Sequence, residues 1–202
     1  MKIFCIGFNK TGTRSLKHFF HKNGFLTAPV RPFEINMHHY YKNNYKEIIN
    51  LINQKYSKFS FFKDVPFSCP NFYKSLDKEF KNSKFILTVR DNEDEWYNSL
   101  IRFHKKLGDI KKVSEFNYVK RGWIIKTLNE CYGSSKENPY DEKILKDSYL
   151  KHIEDVKDYF KDRENDLLII NLKDEDVINK IENFLKVELS HKKMPHINKT
   201  KK

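Results

Sequence analysis

Short unbroken apolar runs alternate along this chain with longer stretches in which apolar residues recur every three or four positions. The runs Ile3-Phe4-Cys5-Ile6, Phe59-Ser60-Phe61-Phe62, Phe85-Ile86-Leu87-Thr88-Val89 and Leu167-Leu168-Ile169-Ile170 read as strands buried on both faces. Gly24-Phe25-Leu26 adds a shorter one, closed by Pro29 and Pro32. Between them lie helical periods: Leu16, Phe19, Phe20; Ile48, Ile49, Ile52; Phe72, Leu76, Phe80; and Trp96, Leu100, Phe103, Leu107. Further stripes carry Val119, Trp123 and Leu128, then Tyr149, Ile153, Val156 and Phe160, and last Val177, Ile181, Phe184 and Leu185, opened by Asp174. Asn92 with Glu95 three residues later has the form of a capping box. Residues 33–45 hold many aromatics and histidines without a clear period. They read either as a loop contacting the substrate that accepts the transferred group or as a surface loop that tucks rings into the core.

Strands alternating with helices predict an α/β fold: three layers, with a central parallel sheet of about five strands and helices on both faces. The strands are expected near 2–6, 25–27, 59–62, 84–89 and 167–171. No repeat and no linker divides the chain, so one domain over 1–202 is expected. Ligands of such sheets bind beyond the C-terminal strand ends. The loops at Gly7, Lys63 and Arg90 all follow strands and should converge on one face.

The first of these loops carries the most chemistry. Gly7 ends a strand, and Thr13 opens a helix, so unpaired N–H groups and a helix dipole face the loop between them. Gly7 and Gly12 have the separation of a nucleotide-triphosphate P-loop. However, Thr13 stands where that motif needs lysine, Arg14 stands where it needs the magnesium-binding hydroxyl, and the lysine, Lys10, lies inside the loop. The stretch Lys10-Thr11-Gly12-Thr13-Arg14-Ser15 resembles instead the 5′-phosphosulfate loop of sulfotransferases that use 3′-phosphoadenosine-5′-phosphosulfate (PAPS). Such a donor needs its phosphosulfate cradled but no metal bridging two phosphates.

Three further stretches extend the resemblance. The segment 84–100, KFILTVRDNEDEWYNSL, is similar to the family's 3′-phosphate motif, which gives that role to Arg90 and Ser99. An arginine fork and a helix-borne hydroxyl can hold a phosphate between them. Ser99 stands nine residues after Arg90, one more than the family pattern. Lys63-Asp64-Val65-Pro66 is similar to the strand-end motif carrying the catalytic base, in the branch that shows Asp-x-Pro. The C-terminal Pro195-His196-Ile197-Asn198 also looks like that branch. The resemblance therefore implies a P-loop-type fold and a PAPS-dependent sulfotransferase. Asp64 would be the base, Lys10 would assist the leaving phosphate, and the backbone of Thr11 to Ser15 would hold the phosphosulfate. A histidine, His196 first, is the alternative base. The competing readings are a P-loop kinase and a non-enzymatic module that grips nucleotides or polyanions.

Composition changes this picture little. A net charge of +12 suits an anionic partner, although lysine and asparagine abundance can equally reflect the gene's base composition. No nucleic-acid partner is expected; the acceptor, a glycan or small molecule among other classes, is not specified. Cys5, Cys69 and Cys131 are odd in number and far apart, which fits neither a disulfide framework nor a metal cluster. His38-His39 lacks further ligands at metal spacing. With no apolar stretch of about 18–20 residues and no evident leader, a cytoplasmic location is expected.

Overall fold

Ile3–Cys5 (β1) is wholly buried, as an unbroken apolar run requires of a central parallel strand. A computed structural model describes residues 1–197. In it β1 lies between Phe61–Phe62 (β2) and Lys84–Val89 (β3), and Leu167–Asn171 (β4) flanks β3. The order is β2-β1-β3-β4 and every pairing is parallel.

From β1 the chain passes through Thr13–Lys22 (α1), Arg31–Ile35 (α2), Met37–Tyr41 (α3) and Tyr45–Lys55 (α4) to β2. Phe72–Glu79 (α5) joins β2 to β3, crossing β1 to the other half of the sheet. Glu93–Lys105 (α6), Trp123–Tyr132 (α7) and Glu142–Phe160 (α8) precede β4, and Val177–Leu185 (α9) follows it. The strand order reverses direction at β1, so the loop after β1 lies at the topological switch point. These elements form two compact units, Met1–Val89 with the chain from Phe160 onward, and Arg90–Tyr159.

In the first unit the pleat sorts side chains between two cores. Ile3, Cys5, Phe61, Ile86 and Ile170 face α1 and α9, meeting Leu16, Phe19, Phe20, Val177 and Ile181. Phe4 points the other way, into a cluster of rings with Phe62, Phe67, Phe80 and Phe85 at centroid distances of 5.4–5.9 Å. Phe33 of α2 joins that cluster against Phe67 at 4.9 Å. Helices therefore cover both faces, as expected.

Two expectations change. Residues 25–27 form no strand: only Thr27 bridges to Phe61. Gly24 turns the chain at φ +82°, and Pro29 has no N–H with which to extend a ladder. Residues 33–45 are not an open loop but mostly two short helices and the start of α4. Phe33, Met37 and Tyr40 are buried there, and Tyr40 donates its hydroxyl to the Pro70 carbonyl at 2.9 Å.

In the second unit α6 opens as its capping pattern predicts, with the Glu95 amide donating to Asn92 Oδ1 at 2.8 Å. Trp96 of α6 stacks on Tyr149 of α8 at 4.8 Å and 5°. α7 starts at Trp123 rather than at Val119 because Gly122 takes a left-handed turn, φ +72°. No described helix is long and apolar enough to cross a membrane.

Gly7 is required by close approach. A Cβ there would stand 2.2 Å from Thr88 Oγ1 and 2.4 Å from the Thr88 carbonyl oxygen. Gly7→Ala is expected to lower stability by about 1–3 kcal/mol, the range for overpacking, read from the denaturation midpoint. A midpoint within experimental error of wild type would show that β1 and β3 can separate at this point at no cost.

Candidate active site

The loop between β1 and α1 is held from below and from one side. Thr11 is buried; its hydroxyl donates to the Phe8 carbonyl at 2.7 Å and lies 2.5 Å from Thr88 Oγ1 on β3. The Thr11 amide also donates to Phe8, at 3.3 Å. Thr11, expected to lend its amide to the donor, thus spends its polar groups on the loop's own shape. Beneath it, burial pushes the Cys5 thiol up to about 12, against a weaker pull from Thr88, so this cysteine stays protonated.

Gly12 caps α1 at φ +98°, a conformation suited to glycine, and no side chain caps the helix. A Cβ on Gly12 would meet Leu172 Cδ1 at 2.5 Å. The first-turn amides of Thr13, Arg14 and Ser15 and the positive end of the dipole therefore face the loop without a side-chain acceptor from the cap. A helix N-terminus of this kind favours an anionic group. Arg14 is exposed on the first turn, whereas the Ser15 hydroxyl accepts the Ile197 amide at 3.1 Å.

On its flank the loop meets the turn after β2. The Thr13 hydroxyl donates to Asp64 Oδ1 at 2.7 Å, and the buried Lys63 ammonium pairs with Asp64 Oδ2. Ser68, wholly buried in the same turn, donates to Asn9 Oδ1 at 3.3 Å, and its amide donates to the Asp64 carbonyl. Sequence reasoning placed Lys10 and Asp64 after separate strands; the structure brings their loops into contact.

Left-handed backbone occurs in both loops. Six described non-glycine residues have positive φ. Three are asparagines and one is Asp64, φ 60°, residue types that tolerate the left-handed region, and Lys186 ends α9. The sixth is Lys10, φ 77°. Such a backbone costs a lysine about 1–2 kcal/mol and persists where the surroundings enforce it, often at functional sites.

The C-terminal segment runs back along α1. The His191 amide donates to Asn23 Oδ1 at 2.7 Å near the end of α1, and Ile197 reaches Ser15 near its start. Leu189 and Met194 are buried, whereas His196 is exposed. Asn198, the last residue of the Pro-His-x-Asn stretch, lies outside the described residues, as do the lysines after it.

Arg90 and Ser99 belong to the second unit. The Arg90 amide donates to the Tyr149 hydroxyl at 2.9 Å, and its guanidinium stands 3.4 Å from Glu95 Oε1. Ser99 lies one helical turn beyond Glu95 on the same face of α6. Ser99 therefore stands on the face that carries the partner of Arg90. Among the described residues no group of three or more His, Cys, Asp or Glu side chains is placed to hold a metal ion.

A family model for the sulfotransferase domain matches residues 2–202. The chain belongs to the sulfotransferase family. Among curated proteins nothing matches it. The match runs through both compact units of this sulfotransferase, so the loop after β1 and the β3–α6 segment lie in the same family domain. Sequence reading missed Lys17 and the hydroxyl roles of Thr13 and Ser15. Nothing local in the sequence marks Lys17, which stands one turn after Thr13 on α1.

Proposed function

We propose that this sulfotransferase moves a sulfuryl group from PAPS to an acceptor hydroxyl or amine, with Asp64 as general base. The observation that carries this reading is the 2.7 Å hydrogen bond from Thr13 to Asp64. It joins the anion-binding end of α1 to a strand-end carboxylate, so a donor group and a base share one neighbourhood. The donor supplies the electrophilic sulfur and the leaving phosphate. Gly12 to Ser15 offer amides to the phosphosulfate, Thr11 shapes the loop, and Lys10 places positive charge where the leaving oxygen gains negative charge. Asp64 Oδ1 and Oδ2 each keep a lone pair beyond those used by Thr13 and Lys63, which suffices to accept the acceptor's proton. As the acceptor oxygen or nitrogen bonds to sulfur, the sulfur–oxygen bond to the phosphate breaks. Arg90 and Ser99 would hold the 3′-phosphate, an arginine fork matching phosphate geometry. No metal is required, and neither a nucleic-acid partner nor a membrane location enters the reading; the cell compartment is the cytoplasm.

The kinase reading loses ground on Arg14, which stands exposed where such a loop needs its metal-binding hydroxyl. A purely polyanion-gripping module has no use for a carboxylate bonded to the rim of its anion cradle.

3′-Phosphoadenosine-5′-phosphate should raise the melting temperature well above the effect of magnesium-ATP. At a hundredfold excess over Kd the gain is about 2.7 kcal/mol. Arg90→Ala should remove roughly 2 kcal/mol of that nucleotide's binding energy and leave adenosine-5′-phosphate binding nearly unchanged. Equal losses for the two nucleotides would take the 3′-phosphate away from Arg90.

Lys10→Ala should fold normally yet lose at least about 100-fold in turnover, measured as sulfuryl transfer from PAPS. Retention of turnover within a factor of three removes the leaving-group role from Lys10. Asp64→Asn should keep nucleotide affinity while turnover drops by roughly 10²- to 10⁴-fold. Full turnover in that variant passes the base to a histidine, with His196 the first to replace.

A further inference from the structure

Lys17 is a half-buried cation at the edge of the sheet, and the reaction as described does not use it. Its ammonium donates to the Ala28 carbonyl at 3.0 Å, and Ala28 in turn donates its amide to Phe61 at 2.8 Å. Thr27 bridges to Phe61 on the side of β2 away from β1. Across the sheet the order is therefore the donor loop after β1, Asp64 after β2, then Lys17 at the outer edge. Thr13 and Lys17 are one turn apart on α1, so both face the Asp64 side of the helix.

The charges around Lys17 are unbalanced. Asp64 already accepts from Lys63 and from Thr13. Burial disfavours the charge on Lys17 most, Lys63 disfavours it next, and Asp64 works the other way. Among the described residues the hydrogen-bond acceptor of Lys17 is the neutral Ala28 carbonyl. A partly dehydrated ammonium has three donors, so this arrangement favours an incoming anion. In the proposed reaction the donor's own anionic groups take the N-terminus of α1, one helical turn before Lys17.

We infer that the acceptor of this sulfotransferase is itself an anion, and that Lys17 binds its carboxylate, sulfate or phosphate beside the hydroxyl or amine that Asp64 deprotonates. This rests on the proposed reaction and adds the acceptor's chemical class. A charge-assisted contact at Lys17 selects acidic acceptors and orients the nucleophile toward Asp64. Lys17 is then a specificity-determining residue, separate from the nucleotide-binding set.

The test uses two matched pairs of hydroxyl compounds, methyl β-D-glucuronide against methyl β-D-glucoside, and 4-hydroxyphenylacetate against its amide. Binding is measured by calorimetry on the full chain saturated with 3′-phosphoadenosine-5′-phosphate. At least one acid should bind about tenfold or more tightly than its neutral twin, the scale of one charge-assisted contact. Lys17→Met keeps the side-chain stem and should abolish that preference, while Lys17→Arg should restore most of it. Nucleotide affinity should be the same in all three proteins. No preference in either pair, including no detectable binding of any of the four, overturns the inference, as does a preference that survives Lys17→Met. Failure of the nucleotide to bind wild type would instead strike at the proposed reaction, which separates the two.

Discussion

The site depends on how closely β1 and the loop after it can approach β3. Gly7 has no side chain because the Thr88 backbone and hydroxyl occupy that space, and Thr11 completes the contact from the loop. This fixes the height of the loop above the sheet. With that height set, α1 begins where its first amides face the loop, and Thr13 lies within reach of the turn after β2. A larger residue at position 7 would move all of these together. The close contact of two strands is thus translated into the position of an anion site.

Electrostatics at the loop is balanced locally rather than by the overall charge. The chain carries a net +12, yet the cations that matter sit on short, strained or buried stretches. Lys10 is held on left-handed backbone, and Lys63 is buried against Asp64. A buried ion pair is weak evidence for stability, because desolvation offsets much of the attraction. Its value here is orientation: with Lys63 on one oxygen and Thr13 on the other, the Asp64 carboxylate has a fixed plane. A carboxylate so held is preorganised.

Much of this was legible in the residues. Unbroken apolar runs announced β1, β3 and β4, and the motif stretches pointed to the family whose model matches the chain. Asn92 and Glu95 marked the start of α6 correctly. What escaped was whatever depends on contacts between distant segments. Phe25 and Leu26 look like a strand by composition, but Gly24 and Pro29 leave room for only one bridge. The rings of 33–45 show no period because α2 and α3 are short and each buries only a few of them. Asp64 was singled out as a candidate from its strand-end stretch, whereas its hydroxyl and ammonium partners came from the fold. Lys17 was hidden among many lysines, since nothing local distinguishes a half-buried ammonium from a solvated one.

The first compact unit is assembled from two stretches separated by Arg90–Tyr159. Phe85 pairs with Leu167, 82 positions later in the chain, and Ser15 waits for Ile197. During synthesis, the strand and helix that bear the anion loop are therefore made long before the residues that cover them. At roughly 5–20 residues per second, β1 and α1 spend on the order of 10–40 s without β4, α9 and the closing segment. Through that interval Ile3, Cys5, Phe19 and Phe20 lack much of their apolar cover, a surface suited to chaperone binding. Long-range parallel pairing of this kind also slows folding after release, because a large loop must close before the contacts form. The functional end of the chain is thus the first written and among the last to be finished.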